Sequence, residues 1–200
     1  MRIIGGRFGG RCLAGPRGLT TRPMPDRVRQ AVFDMLGARW GLPGNLPPIA
    51  VLDLFAGSGL LGLEALSRGA GFCCFVERDS RAVALLGGHV DELGVRDVAE
   101  IVAADILAGP ALPVPPVEAG YSLVFVDPPY HLSRGSSATG PMGRLLEGLG
   151  RWVRLSPEAL VVLRHERKYS YDSVAYECFG GFQRREYGSM AVTIMSRAGE

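Results

Sequence analysis

The sequence predicts an α/β fold built on a parallel sheet with helices covering both faces. Three observations predict it. From residue 49 onward, short apolar runs alternate with helical patterns; the runs are too continuous for half-exposed strands; and a glycine-rich turn directly follows the first of them. Ile49-Ala50-Val51-Leu52-Asp53-Leu54 is that first run, and residues 60–68 read as the helix after the turn. Residues 72–77 form the second expected strand, 80–93 the second helix, and 98–104 the third strand, with Asp105 at its end. A proline-rich loop over 110–116 leads to a fourth strand at 121–127. Residues 145–153 read as helical and 159–163 as the fifth strand, with two further strand candidates near 173–179 and 190–195.

Ahead of the sheet, residues 2–13 carry Gly5-Gly6 and Gly9-Gly10 and read as two short strands around glycine-rich turns. Asp26 is placed to cap a helix whose apolar stripe is Val28, Val32, Phe33 and Leu36, ending near Trp40-Gly41. Residues 41–48 hold three prolines and read as a linker. The expected organisation is therefore a basic extension, a small hairpin plus helix, over 1–41, followed by a catalytic domain over 49–200.

Two hundred residues, 47% of them hydrophobic, suit a packed core and exclude a disordered chain. Residues 1–29 hold seven arginines against the single acid Asp26, a local charge of +6, while the remaining chain carries −4. That asymmetry is the footprint of a polyanionic partner. Cys12, Cys73, Cys74 and Cys178 have no metal-ligand spacing, so free thiols in a reducing compartment and no metal are expected. The chain shows no signal-peptide pattern and no membrane-length apolar run, so a cytoplasmic protein, a monomer by default, is expected without a membrane partner.

Gly57-Ser58-Gly59-Leu60-Leu61-Gly62 has dinucleotide-fingerprint spacing, and Glu77 lies 20 residues beyond Gly57. A nicotinamide oxidoreductase is thus one reading. Asp53 argues against it, because an acid beside the helix N-terminus would repel a pyrophosphate. In Asp53-Leu54-Phe55-Ala56-Gly57-Ser58-Gly59, the acid suits a ligand with a positive amino group. With Glu77 for ribose hydroxyls and Asp105 for an adenine amino group, the three strand ends form a crevice for a cationic nucleoside, S-adenosylmethionine. Phe55 and Ser58 lie in the same cofactor turn.

Asp127-Pro128-Pro129-Tyr130 closes the fourth strand, where two prolines force a rigid turn. The Asp127 carboxylate and the Pro128 carbonyl are both acceptors, fit to hold the two hydrogens of an exocyclic amino group. Tyr130 can stack on the base. An acceptor-only residue at 127 suits guanine, with N1–H beside its amino group, although it also serves adenine.

These motifs carry a resemblance. The chain resembles the bacterial small-subunit ribosomal RNA guanine-N2 methyltransferases through Arg2-Ile3-Ile4-Gly5-Gly6, Gly9-Gly10-Arg11, Thr21-Arg22-Pro23, Asp26-Arg27-Val28-Arg29 with Phe33, the Asp53-to-Gly59 motif, residues 62–70, Asp127 to Tyr130, and Tyr187-Gly188. The resemblance implies a Rossmann-like seven-stranded class I S-adenosylmethionine-dependent methyltransferase fold with a reversed last strand. It implies S-adenosylmethionine as donor and one small-subunit rRNA guanine as acceptor, in naked RNA or an assembling ribosomal particle. It assigns cofactor roles to Asp53, Gly57, Gly59, Glu77 and Asp105, catalysis to residues 127–130, and RNA contact to Arg22, Arg27 and Arg29, with Arg2, Arg7 and Arg11 alongside. Met24-Pro25 and Gly87-Gly88-His89 depart from the family pattern. The alternatives are an amino-methyltransferase acting on DNA adenine or a protein glutamine, the oxidoreductase, and a catalytically silent RNA-binding module.

Overall fold

A computed structural model describes residues 1–15, 24–134, 139–171, 176 and 178–198. Among them, strands β1 (Ala50–Leu54), β2 (Phe72–Glu77), β3 (Ala99–Ala103), β4 (Tyr121–Val126), β5 (Leu155–Glu166), β6 (Phe179–Tyr187) and β7 (Met190–Arg197) form one sheet, ordered β3-β2-β1-β4-β5-β7-β6. The strands from β1 to β5 pair in parallel, and β7 runs antiparallel between β5 and β6. The helices are α1 (Asp26–Arg39), α2 (Leu60–Ser67), α3 (Ser80–Leu93) and α4 (Pro141–Trp152).

Strand side chains alternate between two faces, and here both faces are covered. Val51, Phe75 and Phe125 pack with Phe33 of α1, Leu63 of α2 and Leu86 of α3. Leu52, Cys74 and Val124 pack on the opposite face with Leu146 and Leu149 of α4. Every residue of β1 and β4 is buried, which is why these strands read as apolar runs interrupted only by Asp53 and Ser122. The chain leaves β1 toward β2 on one side and returns as β4 on the other. The loops beyond the carboxyl ends of β1 and β4 therefore part, and such a switch point is where open α/β sheets hold ligands.

The N-terminal segment forms the expected hairpin in a very short version: Met1 and Leu13 exchange bonds at 3.1 and 2.8 Å, and Ile3 donates to the Arg11 carbonyl at 3.0 Å. Arg2 and Cys12 make a single antiparallel bridge around a 3-10 turn at Gly6–Phe8. Side chains take the amides that a longer ladder would use: Ile4 and Gly5 donate to the Glu64 carboxylate, each at 2.8 Å, and Phe8 donates to the Ser67 hydroxyl at 2.9 Å. Asp26 is not the cap of α1 but its first helical residue, with Pro25 preceding it. Its carboxylate is drawn to Arg2 at 2.8 Å and Arg29 at 3.0 Å. Ile3 and Leu13 join the same apolar cluster as Val51 and Phe125, so the basic segment shares the core of the sheet.

At the other end, β5 is longer than its apolar run, β6 starts at Phe179 rather than spanning 173–179, and α4 starts at Pro141, a favoured first helical position. Residues 173–175 and 177 of that strand expectation lie outside the described residues. The sheet positions were harder to read here because an antiparallel edge hairpin alternates polar and apolar residues, as the exposure pattern of β6 does.

Candidate active site

At the switch point lies a cavity of about 690 Å³, bordered by Asp53, Phe55, Gly57, Ser58, Glu77, Asp105, Asp127, Pro129, Tyr130 and Arg164. Strand alternation explains the gathering. Asp53 shares the parity of Val51, Glu77 that of Phe75, Asp127 that of Phe125, and Arg164 that of Val162, all side chains of one sheet face. Register places them at one level: Leu54 pairs with both Val76 and Val126, and Val126 with Leu163. Asp53, Glu77, Asp105, Asp127, Pro129 and Tyr130, all singled out from the sequence, thus border one cavity.

The turn after β1 is built by its glycines. Gly57 and Gly59 have φ of 55° and 78°, and Phe55 holds a left-handed φ of 60°, strained for a side-chain-bearing residue. A Cβ on Gly59 would lie 2.2 Å from Leu86 Cδ1, and one on Gly62 would lie 2.3 Å from Phe75 Cε1. Gly59 therefore shapes the turn from behind the cavity, and Pro128 is likewise buried rather than lining it.

The acids do double duty. Asp53 is buried and accepts from the Gly62 amide at 2.9 Å, anchoring the start of α2. Burial pushes its carboxyl well above the usual range; the Gly62 amide pulls it down, and the nearby Asp127 and Glu77 carboxylates push it up. Glu77 accepts from the amides of Gly57, Arg78 and Asp79, each at 2.8 Å. A carboxylate offers about four lone-pair sites, so Glu77 has room for one further donor. Asp105 accepts from Leu107 at 3.0 Å and pairs with Arg78 at 2.9 Å. Burial raises its carboxyl, but Arg78 and the Leu107 amide together leave it below the usual range.

Asp127 sits at the mouth of β4 with Arg164 of β5 against its Oδ1. Burial pushes this carboxyl up while Arg164 pulls it down, and the net direction is upward. The Arg164 guanidinium carbon also lies 5.3 Å from the centre of the Tyr130 ring. Leu132 and Ser133 donate back to the carbonyls of Pro129 and Tyr130 at 2.9 and 3.2 Å, closing the turn that the prolines begin. Sequence reasoning missed Arg164. The available signal was a lone cation directly after the apolar run of a central strand, at the strand end that faces the ligand. Met24 also borders the cavity, and Met1 receives the Ser58 hydroxyl at its sulfur, 3.3 Å away.

Of the arginines expected at an RNA surface, Arg2, Arg7, Arg11 and Arg27 are exposed, and Arg22 lies outside the described residues. Arg29 is a correction: it is fully buried, bonded to Glu64, Asp26 and the carbonyls of Met24 and Arg2. A guanidinium with no exposed surface and four such acceptors holds the fold together, although the residue also borders the cavity. His89, part of the departure from the family pattern, contacts the Ser58 carbonyl at 3.0 Å through Nδ1 and supports the turn after β1. Cys73 and Cys74 are buried and unpaired, Cys12 is exposed, and no group of metal-ligating side chains occurs among the described residues. No helix among them is long and apolar enough to cross a membrane.

This crevice and sheet order are those of the Rossmann-like class I S-adenosylmethionine-dependent methyltransferases. The carboxylates of Asp53 and Glu77 border one cavity, and carboxylates suit that cofactor's cationic and hydroxyl-bearing groups. The chain belongs to the family described as "Conserved hypothetical protein 95", whose model matches residues 1–196. It is 33% identical over 202 residues to YlbH of Bacillus subtilis, spanning the whole of both chains. It is 36% identical over 172 residues to ribosomal RNA small subunit methyltransferase D of Escherichia coli, covering 83% of this chain and 75% of that one. The solved structure of yhhF from Escherichia coli superposes with a TM-score of 0.79 at 29% identity, covering 100% and 99% of the two chains. A Thermus thermophilus 16S rRNA N2 G1207 methyltransferase, solved with AdoMet and guanosine, matches with a TM-score of 0.67 at 22% identity over 90% of this chain and 46% of that one, a likeness of fold.

Proposed function

We propose that this protein transfers a methyl group from S-adenosylmethionine to the exocyclic N2 amino group of a guanine in small-subunit ribosomal RNA. One observation carries the reading: Asp127 and Tyr130 open onto the same cavity as Asp53, Glu77 and Asp105. Relatives named for small-subunit ribosomal RNA support the substrate class, as do the exposed Arg2, Arg7, Arg11 and Arg27 on the segment that borders the cavity through Met24. In this reading residues 1–41 engage RNA, and residues 49–200 bind the donor and catalyse.

When bound, the cofactor supplies an electrophilic methyl on a sulfonium. Asp53 faces its amino group, the single remaining acceptor site of Glu77 takes a ribose hydroxyl, and Asp105 receives the adenine amino group. An aromatic amine is a poor nucleophile because its lone pair is delocalised into the ring. Asp127, which borders the cavity, accepts from the amino group, which favours a pyramidal nitrogen with its lone pair free for in-line attack at about 3–3.5 Å. Tyr130 stacks on the flipped base, worth about 1–3 kcal/mol. As the N–C bond forms, the S–C bond breaks and S-adenosylhomocysteine leaves. The surplus proton on nitrogen passes to Asp127, whose proton affinity burial raises above that of a free carboxylate.

The test is nucleoside mass analysis of small-subunit rRNA after incubation with labelled donor, with wild type and Asp127→Ala compared. N2-methylguanosine from wild type, together with an Asp127→Ala variant that binds S-adenosylhomocysteine normally and turns over about 100-fold or more slower, is the expected outcome. Label in adenine or in protein glutamine would replace the substrate, and near-normal turnover by the variant would remove the mechanism.

A further inference from the structure

We infer that Arg164 is a positioning residue for methyl transfer: it anchors Oδ1 of Asp127 so that the other carboxylate oxygen faces the amino group, and it backs the Tyr130 ring so that the base stacks on the opposite side. The inference rests on the proposed amino-methylation and adds to it a residue outside the Asp127-to-Tyr130 turn.

The geometry is specific. Arg164 is the residue after Leu163, which pairs with Val126, so the register sets it beside Asp127. Its side chain is 5% exposed and that of Asp127 15% exposed, and the two form an ion pair through Arg164 Nε and Asp127 Oδ1. Water screens such a pair little. The same guanidinium lies 5.3 Å from the Tyr130 ring centre, within cation–π range. One cation thus touches both side chains that are proposed to hold the base, and it borders the cavity with them. A planar, delocalised guanidinium can do both at once; a lysine ammonium is a point charge on a flexible stem and cannot.

The charges around Asp127 give the pairing a kinetic signature. Asp53 faces it from β1 as a like charge, with Glu77 behind Asp53 from β2; Tyr130 lies on its own turn; and Arg164 from β5 is the opposite charge against its carboxylate. Arg164 favours the ionised carboxylate, and burial together with Asp53 opposes it. Removing the cation therefore moves the protonation of Asp127 to higher pH. The acid limb of the activity carried by the carboxylate then lies at higher pH than in wild type, and activity recovers as pH rises through it. A residue that merely supported the fold would lower the rate by the same factor at every pH.

The experiment compares wild type, Arg164→Met, Arg164→Lys, Asp127→Asn and the double variant Arg164→Met with Asp127→Asn, each checked for S-adenosylhomocysteine binding by calorimetry. Turnover on small-subunit rRNA is followed against pH, and the Asp127 carboxyl is titrated by carbon-13 NMR. In Arg164→Met, kcat is expected to fall about 10–100-fold at neutral pH with the KM for the donor unchanged. The acid limb and the Asp127 titration should move together to higher pH, with Arg164→Lys restoring the position of the limb but not the full rate. On the Asp127→Asn background, Arg164→Met should cost much less than it does in wild type, leaving only the part that acts through the Tyr130 ring. If Arg164→Met fails to fold, the Lys variant and the double variant, which leaves no buried unpaired charge, carry the comparison. An unmoved Asp127 titration, a rate loss equal at all pH values, or additive losses in the double variant would overturn the role of Arg164. A wild-type enzyme that methylates no RNA amino nitrogen would instead overturn the proposed function, and the NMR titration would still report on the Arg164–Asp127 pair.

Discussion

Asp53 is sealed against the start of α2, accepting from the Gly62 amide, and its carboxyl is pushed up chiefly by that burial. A carboxyl in an unfolded chain titrates near ~3.9. Above that value the folded protein holds the Asp53 proton more tightly than the unfolded chain does. Folding stability therefore falls as pH rises from there through the buried group's own midpoint. Asparagine keeps the acceptor for Gly62 and cannot ionise. Asp53→Asn should gain about 1 kcal/mol of apo-protein stability at neutral pH and lose the part of the pH dependence that Asp53 contributes. It should also weaken S-adenosylmethionine binding about tenfold or more, since one charge-assisted contact is worth about 1.5–3 kcal/mol. Urea denaturation at several pH values and calorimetry read both effects; parallel stability curves for the two proteins would contradict the assignment. In its proposed role the residue trades stability for a ligand, as strained or buried groups in binding sites commonly do.

At the scale of elements, α3 and the N-terminal segment behave oppositely. The α3 helix is well closed at its ends: the Asp79 side chain accepts from the Arg81 and Ala82 amides, and Gly94 terminates it in a left-handed conformation. Its middle carries Gly87 and Gly88, and a Cβ at either would meet nothing within 4 Å. Alanine at both should add about 1 kcal/mol per site, which for a chain of this size raises Tm by about 4–8 °C in total. A scanning calorimetry trace without that rise would show that the glycines serve something other than the helix. The N-terminal segment, by contrast, hangs on one side chain. Glu64, fully buried, accepts from the Ile4 and Gly5 amides and from Arg29 and Arg68. Glu64→Ala leaves two guanidinium groups buried without that partner, and a loss of about 3–5 kcal/mol is expected, measured by urea denaturation. Because Ser58 of the cofactor turn contacts Met1, the same variant should weaken binding of S-adenosylhomocysteine.

Over the whole molecule, charge is segregated. Residues 1–29 carry +6 against −4 elsewhere, yet not every arginine in that segment is available to a partner. Arg7, Arg11 and Arg27 are exposed, whereas Arg29 is enclosed by Glu64, Asp26 and two carbonyls. Replacing Arg7, Arg11 and Arg27 together by glutamine should weaken RNA binding and flatten the plot of log affinity against log salt, by about 0.7–0.9 for each phosphate that is no longer neutralised. Thermal stability should barely change, because exposed ion pairs contribute little. Arg29→Gln should do the reverse, lowering Tm and leaving the salt slope unaltered. Filter binding across a salt series distinguishes the two; a slope that moves with Arg29 would return that residue to the interface.

The sequence by itself determined the parallel sheet, the switch-point crevice, and the joint presence of Asp53, Glu77, Asp105 and Asp127 at its edge. Each of these follows from local rules: buried parallel strands must be apolar throughout, a turn close to a ligand needs glycine, and side chains one strand-step beyond a buried run emerge at the sheet's carboxyl end. The tertiary structure decided what depends on partners distant in the chain. Arg29 and Glu64 are 35 residues apart and Ile4 and Glu64 are 60 apart, and no periodicity encodes that a carboxylate will take amides from a short hairpin or turn a basic residue inward. Arg164 stands beside Asp127 through strand pairing alone. Charge can be counted along a chain, but its role depends on whether water or another charge surrounds it once the chain is folded.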